Sequence, residues 1–392
     1  MTGMAIRTAI GAWRDLWGRR NIGSLASGPK GWSTRGRVRH RLHERTRLAQ
    51  PATGAPLSRE EMMTRKLAAF AAAAFATLAF TITASLSEEA IRVGVLKFGT
   101  VNWELNTILA NRLDKKHGVA IEVAPFAGEE ASAVAFRSGD VDIIVTDWIE
   151  VARQRAEGED LTFVPYSSST GAIMVRADSP LKSISDLKGV NIAVAGGPLD
   201  KNWLLLQGMA AKEAGLDLAK ENEIVYGAPP LIAEKLKQGE FDAALNFWHF
   251  NARLEAEGFR RLVGGGEASK ALGASGEVST LGYVFHEKWA AERRDAVMGF
   301  LSASREAKAL LKNSDAEWTR LNRDGVVKDE GASLDKLRDR YREGIPARLP
   351  TDEEADAAKL FDVLARLGGE RLVGRAKSLP AGTYWSALTD GE

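Results

Sequence analysis

Two stretches a hundred positions apart carry side chains suited to holding a small molecule, and they are near copies: "SGDVDIIVTDW" (Ser138 to Trp148) and "QGEFDAALNFW" (Gln238 to Trp248). Each runs Gly, acid, apolar residue, Asp and a short apolar run, with Trp nine positions past the Gly. "NW" recurs at the same offset, at Asn102-Trp103 and Asn202-Trp203. Indole faces stack on flat groups or enclose cations. Glu104 and Asp147 would make one side of a shared site acidic, which suits an amine, a cation or a neutral aromatic. The hydroxyls of Ser167 to Thr170 add donors.

Catalytic spacing is missing. No GxSxG, Walker-type loop, HExxH or Gly-rich dinucleotide fingerprint occurs. With no Cys, thiolate catalysis, disulfides and Cys-based metal sites are excluded. Of five His, only His249 lies near the repeated motif, and nothing pairs with it at recognisable spacing. No cofactor is expected.

Short apolar strands alternate with amphipathic helices from Ile91 onward, which is the pattern of an α/β fold. The first unit reads "IRVGVLKF" strand, residues 102–118 helix, "VAIEVAPF" strand, a helix ending near Gly139, "VDIIVTDW" strand and a helix. The second repeats it with "VNIAVAGG", a helix over 198–215, "NEIVYGAPP", a helix, "FDAALNFW" and a helix. The doubled motif is thus a doubled lobe. Residues 264–282 read as a Gly-rich linker, "YVFHEKW" contributes a further strand, and the rest is helical over 287–312, 333–343 and 352–367. In open parallel sheets ligands gather at the carboxyl ends of strands. Those ends place Trp103, Trp148, Gly197 and Trp248 near one cleft. Trp103 and Trp203, one turn into helices, either face it or pack on the sheet. Trp148 and Trp248 are read as ending strands.

Charge is uneven. Residues 1–61 hold 12 Lys/Arg and 4 Asp/Glu, whereas from Glu88 onward 39 Lys/Arg face 48 Asp/Glu. An acidic main body argues against nucleic acid as partner. Residues 62–87, with Arg65 and Lys66 before an apolar run from Leu67 to Ile82, have the layout of a cleaved secretory signal peptide. At 16 residues the run is short for a span, which needs about 20. Residues 1–61 are read as a spurious or disordered basic extension, with an RNA- or membrane-binding arm as the rival.

"SGDVDIIVTDW", "GAIMVRADSPLKSISDLKGVNIAVAGG" and "GEFDAALNFW" resemble the periplasmic substrate-binding proteins of ABC importers, nitrate/sulfonate/taurine group, over about residues 90–300. The resemblance implies a type II periplasmic-binding fold: two α/β lobes joined by a hinge, with a helical C-terminal tail. Lobe one would be 88–177 plus 276–392, and lobe two 178–275. It implies a periplasmic monomer that captures a small solute and delivers it to a permease and its ATP-binding subunit, without catalysis. Asn102, Trp103, Asp147, Trp148, Ser169, Gly197 and Trp248 map to ligand-facing positions. One departure stands out: no Arg is evidently placed for an oxyanion, so taurine or nitrate is not assumed. The alternative is an enzyme on the same scaffold, similar to the pyrimidine synthases of thiamin biosynthesis.

Overall fold

The computed structural model describes residues 90–388, so the expected extension (1–61) and signal peptide (62–87) lie outside the described residues. The first unit comprises β1 (Ile91–Leu96), α1 (Val101–Ala110), α2 (Leu113–Lys116), β2 (Ile121–Phe126), α3 (Glu129–Arg137), β3 (Ile143–Thr146), α4 (Trp148–Ala156) and β4 (Leu161–Ser167). The second comprises β5 (Ala172–Val175), β6 (Asn191–Ala195), α5 (Lys201–Ala214), β7 (Glu223–Gly227), α6 (Pro229–Lys237), β8 (Ala243–Asn246), α7 (Trp248–Ala256), β9 (Arg260–Gly264) and α8 (Gly265–Ala271). There follow β10 (Leu281–His286), α9 (Glu287–Glu292), α10 (Arg294–Asn313), α11 (Asp315–Arg323), α12 (Gly331–Glu343), α13 (Pro350–Gly368) and α14 (Glu370–Val373).

The strands form two sheets of one design, β2-β1-β3-β10-β4 and β7-β6-β8-β5-β9. In each, the first three strands are parallel and the fourth, β10 or β5, is antiparallel to its neighbours. That fourth strand arrives from the other lobe, so two crossovers, 168–171 and 272–280, tie the sheets together. The expected lobe-one segment runs to residue 177, but β5 pairs wholly within the second sheet, and the switch comes between Ser167 and Ala172.

The repeated motif has a local cause. Gly139 and Gly239 end α3 and α6 at φ of 77° and 78°, a left-handed conformation that Gly adopts without a Cβ penalty. Next, the Asp142 carboxylate accepts the Arg92 N–H, and the Asp242 carboxylate accepts the Asn191 N–H. Each Asp thereby stitches the third strand of its lobe to the first. The apolar runs then enter the core: Ile143 and Ile144, like Ala244 and Leu245, are buried.

Several elements differ from expectation. Residues 102–118 form two helices, because Arg112 turns left-handed at φ 56° and breaks the run. Part of the expected linker, residues 265–271, is α8. Trp148 and Trp248 each open a helix and do not end a strand. The tail clasps both lobes: α10 and α11 pack on α1 and α14 on α4, whereas α12 packs on α7 and α13 on α5. Among the described residues, no helix is long and apolar enough to cross a membrane.

Candidate functional site

The carboxyl ends of β1, β3, β6 and β8 are joined in pairs across the two lobes. After β1, Asn102 turns its amide back onto its own loop, donating to Leu96 O (2.8 Å) and Gly99 O (2.7 Å). That loop starts α1, whose Trp103 meets Trp248 at the start of α7 edge-to-face, with centroids 5.9 Å apart and planes at 86°. Trp318 (5.6 Å) and Tyr341 (5.9 Å) close round the same Trp103 ring. After β3, Asp147 caps α4 by accepting the Glu150 N–H (2.9 Å). Its other oxygen accepts from Lys201 Nζ at 2.8 Å, in the first turn of α5 on the opposite lobe. The carboxylate of Asp147 holds the Lys201 ammonium above its ordinary pKa.

Other nominated residues are structural or peripheral in this geometry. Trp148 is 4 % exposed and packs in the main apolar core, as does the fully buried Trp203. Gly197 sits half-buried in the β6–α5 turn, where its carbonyl accepts the Asp200 N–H. Asp200 caps α5 through the Trp203 N–H, and burial pushes its carboxyl up. His249 is held neutral, its pKa lowered to about 4 by burial and by the nearby Arg253 cation.

The acidic wall expected from Glu104 and Asp147 is spent internally. Glu104 is fully buried, 2.6 Å from Lys308 Nζ, and accepts from Tyr283 Oη and Ser304 Oγ. Burial lowers the pKa of Lys308, opposed by that same carboxylate. Asp147 is matched by Lys201. Neither acid is left to attract a cationic solute.

A cavity of about 520 Å³ opens beside these contacts, within the range of small-molecule sites. It is lined by Ser168 and Ser169 of the first crossover, Trp248 and Asn251 of α7, Arg261 of β9, and Gly344 after α12. Gly344 allows the close approach: a Cβ there would stand 1.8 Å from Ser169 Oγ, and its carbonyl accepts the Ser168 N–H. Two lining cations are matched, Lys270 by Glu277 (2.5 Å) and Arg340 by Glu255 (2.7 Å) and Glu343 (2.6 Å). Glu267 accepts the Gly264 N–H at the start of α8. Arg261, half-buried, is the only cation lining the cavity with no ion-pair partner among the described residues.

The structure thus brings Ser169 and Trp248 to the cavity, with Trp103 behind Trp248. Arg261 and Asn251 were not foreseen. The sequence offered no evident Arg for an oxyanion, whereas the structure puts one in the cavity lining, because adjacent residues of a strand point to opposite faces. Arg260 donates to the Ser179 and Leu181 carbonyls, while Arg261 lines the cavity. The signal was the "RR" pair in "GFRRLVG", legible only once that segment is known to be a strand.

Known proteins agree with this architecture. An Escherichia coli (strain K12) protein described as a putative aliphatic sulfonates-binding protein is 28% identical over 240 residues, covering 60% of this chain and 70% of that protein. The crystal structure of the periplasmic aliphatic sulphonate binding protein SsuA from Escherichia coli matches with a TM-score of 0.60 and 22% identity, covering 77% of this chain and 99% of that one. The alkanesulfonate-binding protein SsuA from Xanthomonas axonopodis pv. citri, bound to MOPS, matches with a TM-score of 0.55 and 20% identity, over 76% and 98% of the respective chains. These likenesses bear out the periplasmic-binding fold. The family model described as "NMT1/THI5 like" matches residues 114–317, more than half of the chain, which therefore belongs to the NMT1/THI5-like family.

Proposed function

We propose that this chain is the extracytoplasmic solute-binding component of an ABC importer, and that its cargo is a small organic anion with a sulfonate-type head. The carrying observation is the unpaired Arg261 guanidinium in a cavity between the crossovers, α7 and the end of α12, beside Ser168 and Ser169, whose hydroxyls donate to nothing among the described residues. An oxyanion accepts charge-assisted hydrogen bonds from such a fork. The E. coli relative is described as a putative aliphatic sulfonates-binding protein.

In this reading lobe one is built on the first sheet and lobe two on the second, and hinge motion at the two crossovers closes them over the solute. Ser169 and Trp248 touch the cargo. Trp103 backs Trp248, Asp147 latches the closed form through Lys201, and Asn102 and Gly197 shape the cleft loops. Trp148 supports the fold from beneath. The protein works without catalysis as a periplasmic monomer, exported by the 62–87 signal, and hands its cargo to a permease driven by an ATP-binding subunit.

The test is a thermal-shift screen of the purified protein against alkanesulfonates, carboxylates, amines and quaternary ammonium compounds. A bound ligand at a hundred times its dissociation constant adds about 2.7 kcal/mol. Stabilisation by sulfonates alone supports the reading. Stabilisation by amines or quaternary ammonium compounds instead contradicts the anionic cargo.

A further inference from the structure

The hydrogen bonds of the second crossover lead to the C-terminal tail. Crossover 272–280 leaves α8 of lobe two and enters β10 of the first sheet. On α13, the buried Asp356 carboxylate accepts the Ser275 N–H (2.8 Å), the Ser275 hydroxyl (2.8 Å) and the Gly276 N–H (3.3 Å). Glu353, one turn earlier and equally buried, accepts the Ser279 N–H (2.9 Å). Arg348, just before α13, donates to the Glu277 carbonyl (2.7 Å) and to Asp356 (2.8 Å). Bonds to an ionised carboxylate are roughly twice as strong as neutral ones. The helix α13 itself packs on α5 of lobe two, where Val363 stands against Gly208. Crossover two is thereby fastened to lobe two as far as Ser279. The next residue, Thr280, donates its N–H to Ser167 O (2.9 Å) and its hydroxyl to Ser169 O (3.2 Å), beside the first crossover.

We infer that Glu353 and Asp356 are hinge-positioning residues: by fastening residues 275–279 to lobe two, they confine the bending of crossover two to Thr280, beside crossover one, so that the lobes rotate about a single axis. Left free, a crossover of that length bends at many bonds, and closure has no fixed direction. The tail then needs a pivot of its own, because beyond α13 it returns to lobe one. There α14 packs on α4, and Phe163 of β4 bonds Thr383 and Trp385 through its two backbone groups. Gly369 supplies that pivot between α13 and α14, at φ 60° and ψ −163°, a conformation open essentially to Gly alone. The inference rests on the hinged two-lobe reading above, and the cargo plays no part in it.

The experiment measures distances between spin labels on the two lobes of the purified protein, at Glu122→Cys on β2 and Glu213→Cys on α5. Both positions are exposed, and the chain has no Cys of its own. Glu353→Met and Asp356→Asn should each broaden the distance distribution of the labelled protein. Hydrogen exchange of segment 272–280 should quicken about tenfold or more in the same variants. Lys359→Gln is the control, since Lys359 bonds the Asp356 carboxylate (2.7 Å) from within α13. It should lower the melting temperature without broadening the distances. Should Asp356→Asn not fold, Ser275→Ala, which leaves both carboxylates in place, should broaden them instead. Unchanged distances in folded clamp variants, or equal broadening by Lys359→Gln, overturn the inference and leave the sulfonate reading intact. Failure of every sulfonate to bind would overturn the cargo and leave these distances to decide the hinge.

Discussion

Asp147 and Lys201 meet at 2.8 Å between the carboxyl end of β3 in one lobe and the first turn of α5 in the other. A single ion pair thus joins two strand ends that the sheets hold on opposite sides of the cleft. It lies apart from the lining of the cavity, and in the proposed reading it biases closure without touching cargo.

The pair is partly exposed, at 40% for Lys201 and 19% for Asp147, so its worth is about 1 kcal/mol or less. Lys201→Met should speed solute release by about fivefold or less, with little change in melting temperature. Asp147→Asn is a poorer test, because Asp147 also caps α4. Stopped-flow release rates check this, and an unchanged rate in Lys201→Met removes the latch.

The two motif tryptophans should part company. Trp148 sits in the core, so Trp148→Ala should cost about 3–5 kcal/mol of stability through a cavity. Trp248 is partly exposed and lines the site, so Trp248→Ala should weaken solute binding at a smaller stability cost. Denaturant unfolding and titration of both variants check the contrast.

That contrast also marks how far the sequence could be read. Two lobes, their alternating elements and the strand ends were legible because apolar periodicity and Gly stops are local signals. The equivalent Trp residues could not be told apart, since burial depends on what the tail helices cover. Asp147 with Glu150 three residues on carried a capping signal for α4, which an apolar run ending in Trp obscured. Gly264 to Gly266 read as linker by composition, yet Glu267 accepts the Gly264 N–H at the start of α8. Missing β9 hid Arg261, the lining cation without an ion-pair partner among the described residues.

Acid should loosen the second crossover. Burial alone would raise the Asp356 carboxyl, but bonds from Lys359, Ser275 and Arg348 hold it well below the usual range. It also accepts the Ser275 and Gly276 N–H groups. A depressed folded pKa stabilises above the unfolded value of about 3.9, and the contribution is lost as pH falls through and below it. Asp356→Asn should lower the melting temperature at neutral pH and flatten its decline below about pH 5. Parallel pH–melting curves for variant and wild type contradict this.

His249 acts with the same slope from another cause. Its pKa falls to about 4 in the folded protein, so the unfolded chain binds more protons between that value and about 6.5. Stability therefore drops as pH falls through that window. His249→Gln should remove this part of the decline, as melting curves from pH 4 to 7 would register.

The most direct test of the account is titration of an alkanesulfonate into the wild type and into Arg261→Gln, with folding of both verified by melting. Loss of a charge-assisted hydrogen bond predicts affinity weaker by about tenfold to a hundredfold in the variant. Undiminished sulfonate affinity in folded Arg261→Gln would contradict it, and would place the anion elsewhere in the cleft.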